Sequence, residues 1–143
     1  MNQLHELLGE ALLSTKHVQH CAIIRVKDAS LRASSVGLTL DNDQINRFVM
    51  AVKDPATSRE EGLMYDGKKY KVVRADKQSV YAKYVSLVQN IKIFALLNKG
   101  KEGIIISITA NLMILSIYND SMHSSICVEA TEKLGEYFRE KDR

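Results

Sequence analysis

The stretch Leu63-Met64-Tyr65-Asp66-Gly67-Lys68-Lys69-Tyr70-Lys71-Val72-Val73-Arg74 sets two strand-like runs on either side of Asp-Gly. Asp-Gly accepts the left-handed backbone that a two-residue hairpin turn requires, so the stretch predicts an antiparallel pair turning at Asp66-Gly67. Further strands are predicted C-terminal to it, at Ser79–Lys83, Ile104–Thr109 and Leu112–Tyr118, with Ala110-Asn111 as a turn. On the N-terminal side, Asp54-Pro55 reads as a helix cap and first residue, with the helix ending at Gly62. Asp41 and Gln44 have capping-box spacing, and Ile45, Phe48, Val49 and Val52 mark the buried stripe of the helix behind them. Cys21–Val26 and Ser30–Ser35 read as strands. Leu4, Leu7, Leu8, Ala11 and Leu12 recur at helical spacing over residues 2–15. Ile126, Cys127, Ala130, Leu134, Tyr137 and Phe138 do the same at the other end, with Ser124 or Ser125 as N-cap. The order is helix, strands, helices, hairpins, helix. It predicts an α+β fold on an antiparallel sheet, in one domain over residues 1–143.

Composition narrows the function. The chain has 143 residues, and its 45% hydrophobic content supports an ordinary core without staples. Two cysteines, Cys21 and Cys127, cannot build a disulfide scaffold. The first fifteen residues carry Glu6 and Glu10 and read as no signal peptide. The longest uncharged stretch, Gly103 to Asn119, contains Ser107, Thr109, Asn111 and Ser116 and falls short of the roughly 20 apolar residues a membrane span needs. These features predict a soluble, cytoplasmic chain. Its charge is uneven. From Asp66 to Lys101, nine cations face two carboxylates, a net +7 in a chain whose total is +3. Such a segment suits an acidic partner or, equally, a solvated strand face. With six Tyr, three Phe and no Trp in the chain, a base-stacking platform among these cations is not expected, and neither is nucleic acid as the partner.

No catalytic motif is legible: no G-x-S-x-G, no glycine-rich phosphate loop, no H-E-x-x-H and no C-x-x-C. His17 and His20 are three residues apart, and only Cys21 is adjacent as a further ligand, too few for a metal site. Glu60-Glu61 reads as a helix end. A binding module without cofactor or metal is expected rather than an enzyme.

Three segments then carry a resemblance. The N-terminal helix followed by Ala22-Ile-Ile-Arg-Val-Lys-Asp28 resembles the opening of a profilin. Gly67-Lys-Lys-Tyr-Lys-Val-Val-Arg74 is similar to that family's central hairpin, and Ile126–Phe138 to its closing helix, with Cys127 followed by Leu134-Gly135 and Tyr137. Thr15–Val18, Arg74–Asp76, Tyr81–Lys83 and Ser125–Glu132 read most like a divergent, testis-type branch. The resemblance implies a central antiparallel sheet, the two terminal helices on one face and short helices on the other. It implies a hairpin insertion at about 84–97, a monomeric, cytoskeleton-associated regulator, and a role in sperm-cell remodelling. The inserted stretch is compatible with an extra element, a partner-binding segment or a translated intron.

Three binding surfaces follow from the resemblance. The first takes monomeric actin, at Lys69, Val72, Val73, Arg74, Lys83 and Glu129, with contact weakened by the insertion and by Ser125-Ile126 ahead of Cys127. The second takes phosphoinositides or other acidic phospholipids, at Lys68, Lys69, Lys71, Arg74 and Lys83. The third takes polyproline on aromatic rings. Here Leu4, His5, Leu7, Leu8 and Arg32 stand where rings are expected, and the chain has no Trp. Polyproline binding is therefore expected to be lost, with Tyr137 and Phe138 closing the core. The alternative to all three is a basic module for nucleic acid or acidic protein, without actin activity.

Overall fold

The computed structural model describes residues 3–84 and 102–141. The expected insertion at about 84–97 lies outside these residues beyond Tyr84, as do Lys92, Lys99 and Lys101. The elements in chain order are α1 (Gln3–Ala11), a 3-10 turn (Leu13–Thr15), β1 (His20–Arg25), β2 (Ser30–Ser34), α2 (Asn42–Lys53), α3 (Pro55–Glu61), β3 (Leu63–Tyr65), β4 (Lys68–Ala75), β5 (Ser79–Tyr84), β6 (Glu102–Ile108), β7 (Leu112–Tyr118) and α4 (Ser124–Lys141).

Seven strands form one sheet in the order β2-β1-β7-β6-β5-β4-β3, every pair antiparallel. The turn at Asp66-Gly67 has positive φ at both residues, 52° and 73°, the backbone its sequence predicts. Asp41 caps α2, accepting the Gln44 N–H at 2.8 Å. The Gln44 amide does not complete a capping box. It donates instead to the Met64 carbonyl and ties α2 to β3. Asp54 caps α3 through the N–H and hydroxyl of Thr57.

Both faces of the sheet are covered, which is why β6 and β7 read as nearly continuous apolar runs. Successive side chains alternate between faces. Ala22, Ile24, Ile104, Ile106, Met113 and Leu115 meet Ile45, Phe48 and Val49 of α2 on one side. Cys21, Ile23, Ile105 and Ile114 meet Leu8 and Leu12 of α1, and Cys127, Leu134 and Phe138 of α4, on the other. At roughly 25 cal/mol per Å² of apolar surface removed from water, these two layers are the main favourable contribution to folding.

The start of α4 departs from expectation. Neither Ser124 nor Ser125 is the cap, because both lie in the first helical turn. His123 holds that position, and its carbonyl accepts the N–H groups of Ile126 and Cys127. The His123 N–H itself donates to His17 Nδ1 at 2.9 Å, joining the chain after α1 to the head of α4.

Candidate functional site

Strand β4 decides which cations share a face. Tyr70 and Val72 point into the α2/α3 core, and Val72 is 6% exposed. Strict alternation then sends Lys69, Lys71 and Val73 to the terminal-helix side and would return Arg74 to the core side. A bulge prevents this. Val72 pairs with Ala82 and Arg74 with Tyr81, so Val73 is an extra residue and Arg74 joins it on the terminal-helix side. Val72, expected on the binding surface, is therefore a core residue facing the other way.

The remaining residues separate by their partners. Lys68 belongs with Tyr70 on the α2/α3 side. Its ammonium pairs with Glu102 at 3.0 Å and sits 5.1 Å from the Tyr84 ring centre, and the Glu102 hydrogen bond raises its pKa. It is engaged within the fold, with about 35% of its side chain exposed. Arg74 is held by Asp76 at 2.9 Å and by Tyr81, whose ring lies 5.0 Å below the guanidinium. The Asp76 hydrogen bond raises the Arg74 pKa. Asp76 is itself held below the ordinary carboxylate range, first by the Gln78 N–H and then by Arg74. Lys71 and Lys83 are direct register partners across β4 and β5, and among the described residues neither makes a salt bridge. Like charges placed opposite each other on a sheet destabilise it and favour an anion that bridges them.

Val73, Lys83 and Glu129 meet at one open hollow of about 330 Å³, whose walls include Tyr118, Ser125 and Val128. Lys83 also faces a neighbouring hollow with Asp120, His123 and Ser124. Sequence reading missed Tyr118, Ser124 and Val128 as members of this surface, and took Ser125 only as part of a substitution that weakens it. The Ser124–Val128 and Ser125–Glu129 spacings, one helical turn each, could have placed those four α4 positions on one side of the helix. Tyr118 carried no such signal. Its ring lies where a Cβ on Gly103 would fall, so the cross-strand partner must be glycine. Burial pushes its hydroxyl up to about 12.

A separate groove of about 380 Å³ runs between α1 and α4, lined by Leu7, Ala11, Ile126, Ala130, Leu134 and Tyr137 among others. Phe138 closes the core as expected. Tyr137 does not: it is 40% exposed, packs edge-on against Phe138 and lies under the Lys141 ammonium. Tyr137 is the single aromatic residue among those lining the groove.

A curled antiparallel sheet with terminal helices on one face, short helices on the other and a basic central hairpin is the profilin architecture. A profilin family model matches residues 2–143, and the chain belongs to the profilin family, whose members regulate the actin cytoskeleton. Among curated relatives it is similar to Profilin-4 of Bos taurus, 37% identical over 142 residues that cover 99% of this chain and 98% of the relative. It is 29% identical to Profilin-A of Physarum polycephalum over 133 residues, 93% of each chain. Among solved structures, Acanthamoeba castellanii profilin IB superposes with a TM-score of 0.79 at 22% identity, covering 97% of this chain and 98% of that one. Mouse profilin IIa, in complex with a double repeat from the FH1 domain of mDia1, gives 0.70 at 16% identity, covering 94% and 95%. These two structural likenesses are likenesses of fold.

Proposed function

We propose that this chain binds monomeric actin through the Val73, Arg74, Lys83 and Glu129 face, and acidic phospholipid headgroups through Lys69, Lys71 and Lys83. The observation that carries the lipid reading is the Lys71–Lys83 register pair, two ammonium groups on neighbouring strands with no carboxylate bridging them among the described residues. Each cation near an anionic membrane contributes about 1 kcal/mol, an attraction that salt screens. The actin reading rests on family membership and on the three expected residues that surround one hollow. Actin binding is weak in this reading, because Ser125-Ile126 replace a basic or polar residue ahead of Cys127. Polyproline binding is weaker still. The α1/α4 groove offers Tyr137 as its aromatic wall where a stacking platform needs several rings. Similarity to Profilin-4 supports a cytoplasmic role in sperm-cell remodelling.

Two measurements test the reading. Vesicles of phosphatidylcholine with phosphoinositide should retain the protein at low salt and release it at high salt, and the K71E/K83E double variant should be lost from them. Equal retention of the two proteins overturns the lipid site. Titration against labelled monomeric actin should show binding that Glu129→Ala and Val73→Asp each weaken. Tight binding by both variants overturns the actin face.

A further inference from the structure

Behind Arg74 lies a polar chain that the binding reading does not use. Glu132 of α4 projects onto the sheet, where its Oε2 accepts the Ser79 hydroxyl at 2.5 Å and the Tyr81 hydroxyl. Its Oε1 accepts the Ser107 hydroxyl at 2.9 Å. Ser79 and Ser107 are almost fully buried and both donate to this carboxylate, while Ser107 also accepts Arg139 Nη2 at 3.0 Å and that guanidinium lies 3.9 Å from Glu132 Oε1. A phenol has one proton. Because the Tyr81 proton goes to Glu132, the Tyr81 oxygen turns its lone pairs outward, and there it accepts Arg74 Nη1 at 3.2 Å. Asp76 fixes the other edge through Nε. The guanidinium is thus held at two edges over the Tyr81 ring, with Nη2 making no hydrogen bond among those of the described residues. A planar cation held this way offers its remaining donors in one orientation, which suits a carboxylate or phosphate better than a mobile ammonium would.

We propose that Tyr81 and Glu132 are positioning residues for Arg74: Glu132 orients the Tyr81 hydroxyl, and that hydroxyl aims the guanidinium at the binding face. This rests on the reading of Arg74 as a contact residue, and the test separates the two. The first readout needs no partner. In the wild-type chain the Arg74 Nε–H should give a resolved nitrogen–proton resonance with slow hydrogen exchange. Tyr81→Phe keeps the ring and removes the hydroxyl, and Glu132→Gln removes the charge. Both should speed that exchange several-fold while the backbone amide spectrum of β5 and β6 stays in place. Unchanged exchange in both variants overturns the proposal.

The second readout is a double-variant cycle on monomeric actin. Tyr81→Phe should weaken binding about threefold or more in the wild-type background, and hardly at all once Arg74 is Ala, as coupled neighbours require. Equal weakening in the two backgrounds shows a merely structural Tyr81 and overturns the coupling. If exchange responds but even Arg74→Ala leaves actin binding intact, positioning stands and it is the actin reading of Arg74 that fails.

Discussion

On its α2/α3 side the sheet presents Ala22, Ile24, Ile104, Ile106, Met113 and Leu115, and the helices answer with Ile45, Phe48 and Val49. On its terminal-helix side it presents Ser79, Ser107, Ser116 and Gly103 among the apolar residues, and α4 answers with Thr131, Glu132, Gly135 and Arg139. The first contact is one of shape and volume between apolar side chains. The second fixes the helix position residue by residue. Thr131 shares a hydrogen bond with Ser116 at 2.7 Å, and Arg139 reaches the Ile108 carbonyl at 3.0 Å. The candidate binding residues lie on the second side. There α4 supplies Glu129 to the hollow and Glu132 to the Tyr81 chain, so a shift of the helix along the sheet would move both.

The contrast can be broken in four ways. The largest effect is expected on the apolar side. Phe48 is fully buried, and Phe48→Ala should cost about 3–5 kcal/mol, read from the urea midpoint, with actin and vesicle binding of the folded fraction unchanged. Loss of binding by the folded fraction would show that the two sides are coupled. The next effect is on α4. A Cβ at Gly135 would stand 2.0 Å from the Ser107 hydroxyl and 2.9 Å from its Cβ. Gly135→Ala should therefore lift the helix at a cost of about 1–3 kcal/mol and, unlike Phe48→Ala, disturb the binding face as well. A chain that keeps full stability and binding would show that α4 does not depend on its close approach.

The third concerns the thiols, both on the terminal-helix side. Burial raises Cys21 to about 11 and Cys127 to about 12. Their folded values exceed the unfolded one, so the stability they contribute is complete below pH ~8.5 and is lost as pH rises. Chemical denaturation from pH 8 to 10.5 should show that decline, and Cys127→Ala should flatten it. A thiol reagent at pH 8 should label the native chain only as fast as it opens. Immediate labelling would show an accessible thiol.

The smallest effect is on the α2/α3 side and local. Asp54→Ala removes the α3 cap and should lower the urea midpoint least of the four. The Thr57 bonds hold the Asp54 pKa below the ordinary carboxylate range, as the Gln78 N–H and Arg74 do for Asp76. For such groups the contribution is present above the unfolded value near 4 and is lost as pH falls through the folded one. Asp54→Ala should therefore shallow the acid limb of the stability profile, measured by thermal unfolding from pH 6 to pH 2.5.

Much of the fold was legible because the evidence for it is local. Asp66-Gly67, the Asp54-Pro55 cap and the spacing of Ile45, Phe48 and Val49 are each decided within a few residues. The site was legible in its charges and not in its geometry. Nothing in Lys71-Val72-Val73-Arg74 announces a bulge, since the extra residue is defined only by pairing with β5. Val72 and Val73 therefore looked interchangeable on one surface. The bonds of Glu132 to Ser79, Tyr81 and Ser107 span 25 to 53 residues, and no periodicity in α4 distinguishes Glu132 from the exposed Glu136. The cap of α4 was misassigned for a similar reason. Serine is the commoner cap, but the His123 N–H is tied to His17, 106 residues away.

The ends of the sheet also bear on self-association. At one margin β2 is five residues long and carries a register shift that leaves Arg32 between the residues paired to Ile23 and Ile24. At the other, β3 is three residues long, and the chain beside it is overlaid by α3, whose Arg59 donates to the Ala75 carbonyl. An incoming strand from another molecule finds few regular rungs at either margin: a kinked ladder at the first, a three-residue stub at the second. Fibril growth by strand addition is discouraged at both ends without a single proline, and the faces are left to carry recognition.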